Sequence, residues 1–143
     1  MHPEVNPFLL YEPMDAESFK PIMEDLIDRG VKYVYINDEG KTAGMFKLVP
    51  LTFRTDHIAY LGGLAVHPDF NGRGYGRHLI QEVLLLAKRV GFRRIELSVA
   101  SINEKALKLY ERAGFEREGV LRKYTHLKKE DTFLDEIMMS CLL

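Results

Sequence analysis

Two stretches of the chain carry apolar residues at the three- and four-residue spacing of an amphipathic helix. The first covers residues 74–90 and the second residues 103–113, and a glycine follows each of them. A third helical pattern covers residues 15–30 and contains Pro21, which is expected to divide it into two short pieces. The pattern therefore predicts helices in the first, middle and last thirds of the chain.

Runs rich in β-branched and aromatic residues separate these helical segments and predict strands. Turn residues at 37–40 indicate an antiparallel hairpin, and a charged turn at 128–131 joins the last two runs. The predicted strands are residues 8–11, 33–36, 42–49, 57–66, 94–99, 115–127 and 132–142. The order predicts an α/β or α+β fold, with a mixed sheet of about seven strands and flanking helices. No linker interrupts the chain, so residues 1–143 are expected to form a single domain.

Composition narrows the function. Twenty Lys and Arg residues oppose 21 Asp and Glu residues, for a formal net charge of −1, which argues against a nucleic-acid-binding protein. The one cysteine excludes an internal disulfide framework and fits a reducing compartment. No apolar run approaches the roughly 20 residues of a membrane-spanning helix, and the first residues do not resemble a signal peptide. A cytoplasmic protein that contacts neither membranes nor nucleic acids is expected.

A glycine-rich loop at residues 71–76 lies between a predicted strand and the helix that starts at Gly74. Glycines let the backbone approach a ligand closely, and a helix N-terminus favours a phosphate. A plain strand-to-helix turn is the alternative. A dinucleotide fingerprint would need a third glycine where Arg77 or Leu79 stands, and the Gly-Lys-Ser/Thr ending of a nucleotide-triphosphate loop is absent.

Residues 64–79 resemble the acetyl-CoA-binding segment of the GNAT superfamily of N-acyltransferases. The family pattern is Gln/Arg-x-x-Gly-x-Gly/Ala, and Asn71 stands here in place of Gln or Arg, followed by Gly74 and Gly76. A second family segment follows at the expected distance, from Leu97 to Gly119. The resemblance covers the chain from residue 62 onward.

The resemblance implies a mixed, mostly antiparallel sheet with a V-shaped opening that holds acetyl-CoA. Its pantetheine arm would pair with the backbone of the strand residues Leu64, Ala65 and Val66. Its pyrophosphate would lie on the backbone N–H groups of the loop, namely Asn71, Gly72, Arg73, Gly74, Tyr75, Gly76 and Arg77. Every second side chain of this strand is expected to point into the core.

The same family chemistry points to two residues of the second helix. Asn103 and Tyr110 are separated by two helical turns, about 10.5 Å, so both could contact an extended cofactor arm. Tyr110 is expected to protonate the departing CoA thiolate, although a tyrosine that only packs in the core is the alternative. Asn103 could equally serve as the helix cap alone.

The remaining chemistry is less determined. Many relatives carry a Glu on the strand before the glycine loop, and none occurs here after Asp56. The general base is therefore open between His57, Tyr60, Glu118 and water. Cys141 is expected to be structural, and the spacing of the histidines predicts no metal site.

The predicted function is transfer of the acetyl group of acetyl-CoA to a primary amine, on a small molecule or a peptide, by direct attack. A catalytically weak acyl-CoA-binding sensor is the alternative. The stretch between Tyr11 and Val31, which would cover the acceptor, is short, and the terminal segment 137–143 is apolar. Both features suggest a homodimer. An interior strand is the other interpretation of the terminal segment.

Overall fold

A computed structural model of the protein describes residues 32–36, 42–66 and 74–143. The strand predicted at residues 8–11 and the helical pattern at residues 15–30 lie outside the described residues. The structure contains the strands β1 (Lys32–Ile36), β2 (Thr42–Pro50), β3 (Ile58–Val66), β4 (Arg94–Ala100), β5 (Glu116–Leu127) and β6 (Thr132–Leu142), and the helices α1 (Tyr75–Val90) and α2 (Glu104–Arg112). The sequence predicted each of these elements to within two residues at either end.

The described strands form one sheet of six, in the order β1-β2-β3-β4-β6-β5. β3 and β4 run parallel, whereas β1 and β2, β4 and β6, and β5 and β6 run antiparallel. The mixed α/β fold that the sequence predicts is therefore confirmed. The predicted count of about seven strands includes the one at residues 8–11, which is not among the described residues.

The chain divides into two compact units, and β3 and α1 each contribute residues to both. The first unit comprises residues 1–49 and 61–79. In its described part, β1 pairs with β2 up to an irregularity between Tyr35 and Ile36. The side chains of Phe46 and Leu48 on β2 are buried, at the two-residue spacing expected of a strand with one face inward.

The second unit comprises residues 50–60 and 80–143. Its core consists of alternating strand residues and one face of α1, with the fully or nearly buried side chains Ile80, Val83, Ala87, Ile95, Leu97, Val99, Ile137 and Met139. β6 lies between β4 and β5 and pairs with both. The apolar terminal segment is therefore an interior strand, and it gives the predicted homodimer no support.

Neither of the two described helices is long and apolar enough to cross a membrane. The prediction of one domain over residues 1–143 stays a prediction.

Candidate active site

The structure describes Gly74, Tyr75 and Gly76 of the glycine-rich loop, and Gly74 lies immediately before α1. Its φ of +76° lies in the left-handed region that favours glycine, and its carbonyl oxygen accepts the His78 N–H at 3.1 Å. A Cβ atom placed on Gly74 would meet no atom within 4 Å. The backbone conformation, rather than crowding, therefore requires glycine at this position.

The N-terminus of α1 suits an anion. Its first turn contains no acidic residue, and an α-helix has no internal acceptor for the N–H groups of that turn, which include those of Gly76 and Arg77. The Arg77 side chain is exposed, and the Tyr75 ring lies edge-on to the His78 ring. Asn71, Gly72 and Arg73, also predicted to bind the cofactor, lie outside the described residues.

The residues predicted to bind the pantetheine arm, Leu64, Ala65 and Val66, are the last three residues of β3. Leu64 and Ala65 are both half-buried, so the expected alternation of core side chains is not seen at these two positions. The backbone of Val66 completes the strand. The proposed pairing of these residues with acetyl-CoA stays a prediction.

Asn103 caps α2. Its side-chain Oδ1 accepts a hydrogen bond from the Ala106 N–H at 3.2 Å, which satisfies a backbone donor of the first turn. The cap predicted for this residue is therefore confirmed. A contact with the cofactor, which would use the amide nitrogen of the same side chain, stays a prediction.

Tyr110 lies in the last turn of α2 and is 8% exposed. Burial raises the pKa of its phenol strongly, and the nearby phenol of Tyr60 adds to the rise. The hydroxyl is therefore protonated throughout the neutral pH range, so it can donate a proton or a hydrogen bond but cannot act as a base. This is the protonation state that the predicted general acid requires.

Tyr60 and Ser98 join neighbouring strands through a hydrogen bond of 3.0 Å between their hydroxyl groups. Burial raises the pKa of Tyr60 despite the hydrogen bond with Ser98, which acts in the opposite direction. A phenol that stays protonated at neutral pH is a poor proton acceptor. The structure therefore disfavours Tyr60 as the general base.

Glu118, a second candidate base, already has two partners for its carboxylate. Its Oε1 accepts a hydrogen bond of 2.6 Å from the Ser140 hydroxyl and lies 3.5 Å from the Arg94 guanidinium. The Ser140 hydrogen bond and then Arg94 lower the pKa of the carboxyl, which makes it a weaker base. His57, the third candidate, is exposed immediately before β3.

Glu136 is a buried carboxylate that sequence reasoning missed. It is 4% exposed, and its Oε1 accepts a hydrogen bond from the Thr125 hydroxyl at 2.9 Å. Its Oε2 has no hydrogen-bond partner among the described residues. Burial raises the pKa of this carboxyl, although the Thr125 hydrogen bond opposes the rise. Asp135 and Glu136 are adjacent in β6, so the local sequence pattern alone does not single out Glu136 as the buried carboxylate.

Other reactive groups are unsuited to catalysis. Cys141 is half-buried, and burial followed by the charge of Glu116 raises the pKa of its thiol, so the nucleophilic thiolate is disfavoured. Within residues 32–36, 42–66 and 74–143, no three or more His, Cys, Asp or Glu side chains are grouped as metal ligands would be.

The fold is similar to those of solved N-acetyltransferases. Spermidine N-acetyltransferase from Vibrio cholerae, solved in complex with CoA and spermine, superposes with a TM-score of 0.83 at 22% identity over 97% of this chain and 82% of that one. Ribosomal-protein-alanine N-acetyltransferase from Brucella melitensis superposes with a TM-score of 0.74 at 23% identity over 91% of this chain and 80% of that one. These similarities concern the fold.

Sequence relatives share a shorter region. N-alpha-acetyltransferase RimI of Mycobacterium tuberculosis is 39% identical over 70 residues, which are 49% of this chain and 42% of the relative. An uncharacterized N-acetyltransferase of Methanocaldococcus jannaschii is 38% identical over 72 residues, or 50% of this chain and 32% of the relative. The chain thus matches less than half the length of either relative.

The profile of the Acetyltransferase (GNAT) family matches residues 3–115, most of the chain. The chain therefore belongs to the GNAT family of acetyltransferases.

Proposed function

We propose that the protein transfers the acetyl group of acetyl-CoA to a primary amine. The observation that carries this proposal is the family match over residues 3–115. The left-handed Gly74 before an α-helix of 16 residues supports it independently, because such a turn presents backbone N–H groups to a phosphate. The two solved relatives named above are both N-acetyltransferases.

In this proposal acetyl-CoA is a substrate that the chain holds largely through its backbone. The loop from Asn71 to Arg77 takes the pyrophosphate, and the backbone of Leu64, Ala65 and Val66 takes the pantetheine arm. The amide nitrogen of Asn103 contributes a further contact while its oxygen caps α2. The residues that are described fit this role, since Gly74 leaves the space beside it open and the first turn of α1 carries no negative charge.

The reaction is a direct attack of the amine nitrogen on the thioester carbon. A carbon–nitrogen bond forms, the carbonyl oxygen becomes an oxyanion, and the carbon–sulfur bond then breaks. Tyr110 donates its phenolic proton to the departing thiolate and regains a proton from the acetylated nitrogen, directly or through water. No acyl-enzyme forms, which agrees with the disfavoured thiolate of Cys141.

The acceptor is an amine of a small molecule or a peptide. Spermidine and the alanine of a ribosomal protein are the acceptors that the names of the two solved relatives give. They define the first classes to test: polyamines and peptide N-termini. A homodimer and a cytoplasmic location remain predictions from the sequence.

The test combines an acceptor screen with a binding measurement. Polyamines, amino acids, peptides with free N-termini and lysine-containing peptides are incubated with acetyl-CoA, and acetylated products are detected by mass spectrometry. Calorimetry measures acetyl-CoA binding separately. Turnover of at least one amine is expected. Tight acetyl-CoA binding with no acetylated product would favour the sensor alternative, and a protein that does not bind acetyl-CoA would contradict both functions.

A further inference from the structure

The proposed reaction needs a proton acceptor. An alkyl amine has a pKa of about 10.4, so it reaches the protein as an ammonium ion that must lose a proton before its nitrogen can attack. Tyr60 is protonated, and Glu118 is held by Ser140 and Arg94. Of the side chains described, Glu136 combines a buried carboxylate with an oxygen that has no partner.

The strand register places Glu136 at the carboxyl end of β4. Glu136 on β6 lies opposite Ala100, the last residue of β4, three residues before the cap of α2. In open α/β sheets, ligands bind beyond the carboxyl ends of parallel strands, and β4 pairs in parallel with β3. Glu136 therefore occupies the end of this strand at which a substrate is expected.

Glu136 also shares a face of the sheet with Ser98, which is hydrogen-bonded to Tyr60. Residues directly opposite on paired strands project to the same side, and Ser98 lies opposite Met138, two residues along β6 from Glu136. Ser98 bonds to the Tyr60 hydroxyl. Tyr60 in turn is within electrostatic reach of both Glu136 and Tyr110. Tyr60 thus links the carboxylate electrostatically to the predicted general acid.

The unpartnered Oε2 points to a ligand. A buried polar atom without a hydrogen bond is costly and uncommon in folded proteins, because its lost hydration is not replaced. An ammonium group would supply a charge-assisted donor to this oxygen, while Thr125 keeps Oε1 occupied. Tyr60, Ser98, Leu121 and Met138 around this face are each half-buried, so the face is not fully covered.

We propose that Glu136 binds the ammonium group of the acceptor and takes its proton. This inference rests on the proposed acetyltransferase function and names a residue for one of its steps. One proton passes from the ammonium nitrogen to Oε2 of Glu136 and on to solvent. The neutral nitrogen then attacks the thioester, and its second proton is lost as the carbon–sulfur bond breaks and Tyr110 protonates the sulfur. The reaction thus yields one amide, one thiol and one released proton.

The experiment compares Glu136→Gln with wild type on two amines of similar size. Ethylamine is almost entirely protonated at neutral pH, whereas trifluoroethylamine is far less basic and is largely neutral there. With ethylamine, kcat/KM for the amine is expected to fall at least about 10²-fold in Glu136→Gln, the lower range for loss of a general base. With trifluoroethylamine the loss should be much smaller, because this amine arrives without the proton that Glu136 is proposed to take.

Glu96→Gln is the matched control. Glu96 lies on the same face of the sheet and is partly buried, but it pairs with Arg94 at 3.0 Å. Its replacement should change kcat/KM by less than about threefold on either amine. Thermal melts establish that both variants fold.

The outcomes separate the two proposals. Folded Glu136→Gln protein with wild-type kcat/KM on ethylamine, or with equal losses on both amines, would overturn the role of Glu136. Wild-type protein that acetylates neither these amines nor any amine of the acceptor screen would instead overturn the proposed function.

Discussion

The rings of Tyr110 and Phe115 meet edge to face, with centroids 5.6 Å apart and planes inclined at 62°. The same two residues close the end of α2, because the Phe115 N–H donates to the Tyr110 carbonyl at 3.0 Å and the Gly114 N–H donates to the Glu111 carbonyl at 3.1 Å. This is the hydrogen-bond pattern of a Schellman helix end, with its usual hydrophobic contact. Ring and backbone thus hold Tyr110 in place without its hydroxyl.

Tyr110→Phe should therefore separate catalysis from folding. The ring contact survives, so unfolding free energy should change by no more than about 1 kcal/mol. Loss of the general acid should lower kcat at least about 10²-fold at saturating acetyl-CoA, with little change in cofactor affinity. Steady-state kinetics and a thermal melt of the same preparation check both quantities. A kcat close to that of wild type would show that Tyr110 only packs.

Phe115→Leu is the complementary variant. It removes the aromatic contact but leaves the Tyr110 hydroxyl, so it should cost about 1–2 kcal/mol in stability. Its kcat should fall far less than that of Tyr110→Phe. Equal losses of kcat in the two variants would mean that ring position, and not proton donation, limits turnover.

Asn103 is expected to have two separable roles. Asn103→Asp keeps an oxygen that can cap α2, so its melting temperature should stay near that of wild type. Asn103→Ala loses the cap, so its free energy of unfolding should fall by about 1 kcal/mol. Both variants lack the amide nitrogen, and both should raise the KM for acetyl-CoA by about tenfold, or about 1.4 kcal/mol. Thermal melts and acetyl-CoA titrations of the pair check this. An unchanged KM in Asn103→Ala would leave Asn103 with its cap alone.

Local signals predicted the helices and strands, whereas contacts between distant strands escaped the sequence. The ends of α1 and α2 follow from apolar spacing and the glycines after them, which act within one or two turns. Tyr60 and Ser98 are 38 residues apart, and neither their bond nor their strand register has a local signature. Thr125 reaches Glu136 across a stretch where the β5–β6 register shifts, between Leu121 and Thr125. A carboxylate placed by such a shift could not be located from periodicity.

Gly74 and Gly91 flank the same helix and allow a matched test of the glycine loop. Both have left-handed φ, +76° and +108°, and a Cβ on either would meet no atom within 4 Å. Gly74→Val and Gly91→Val should therefore carry comparable backbone strain, of order 1–2 kcal/mol. Only Gly74→Val should also raise the acetyl-CoA Kd at least about tenfold, because its side chain would occupy the space beside the proposed phosphate. Calorimetric titration of both variants checks this, and equal affinities in the two would refute the role of the loop.

Glu136 should make the native protein less stable as the pH rises. Burial raises the pKa of its carboxyl above that in the unfolded chain, so folding favours the protonated form. Its contribution to stability is therefore fully present below about pH 4, where the unfolded chain is also protonated, and is lost as the pH rises through the folded pKa.

Gln carries no charge, so Glu136→Gln should melt about 2–4 °C above wild type at pH 8 and show no gain at pH 4. Scanning calorimetry at both pH values measures the difference. Glu118→Gln provides the opposite sign, because Ser140 and Arg94 lower the pKa of Glu118 and stabilise its charged form, so at pH 8 this variant should melt below wild type. A melting temperature of Glu136→Gln below that of wild type at pH 8 would show that the charged carboxylate is compensated in the native state, in conflict with an unpartnered Oε2.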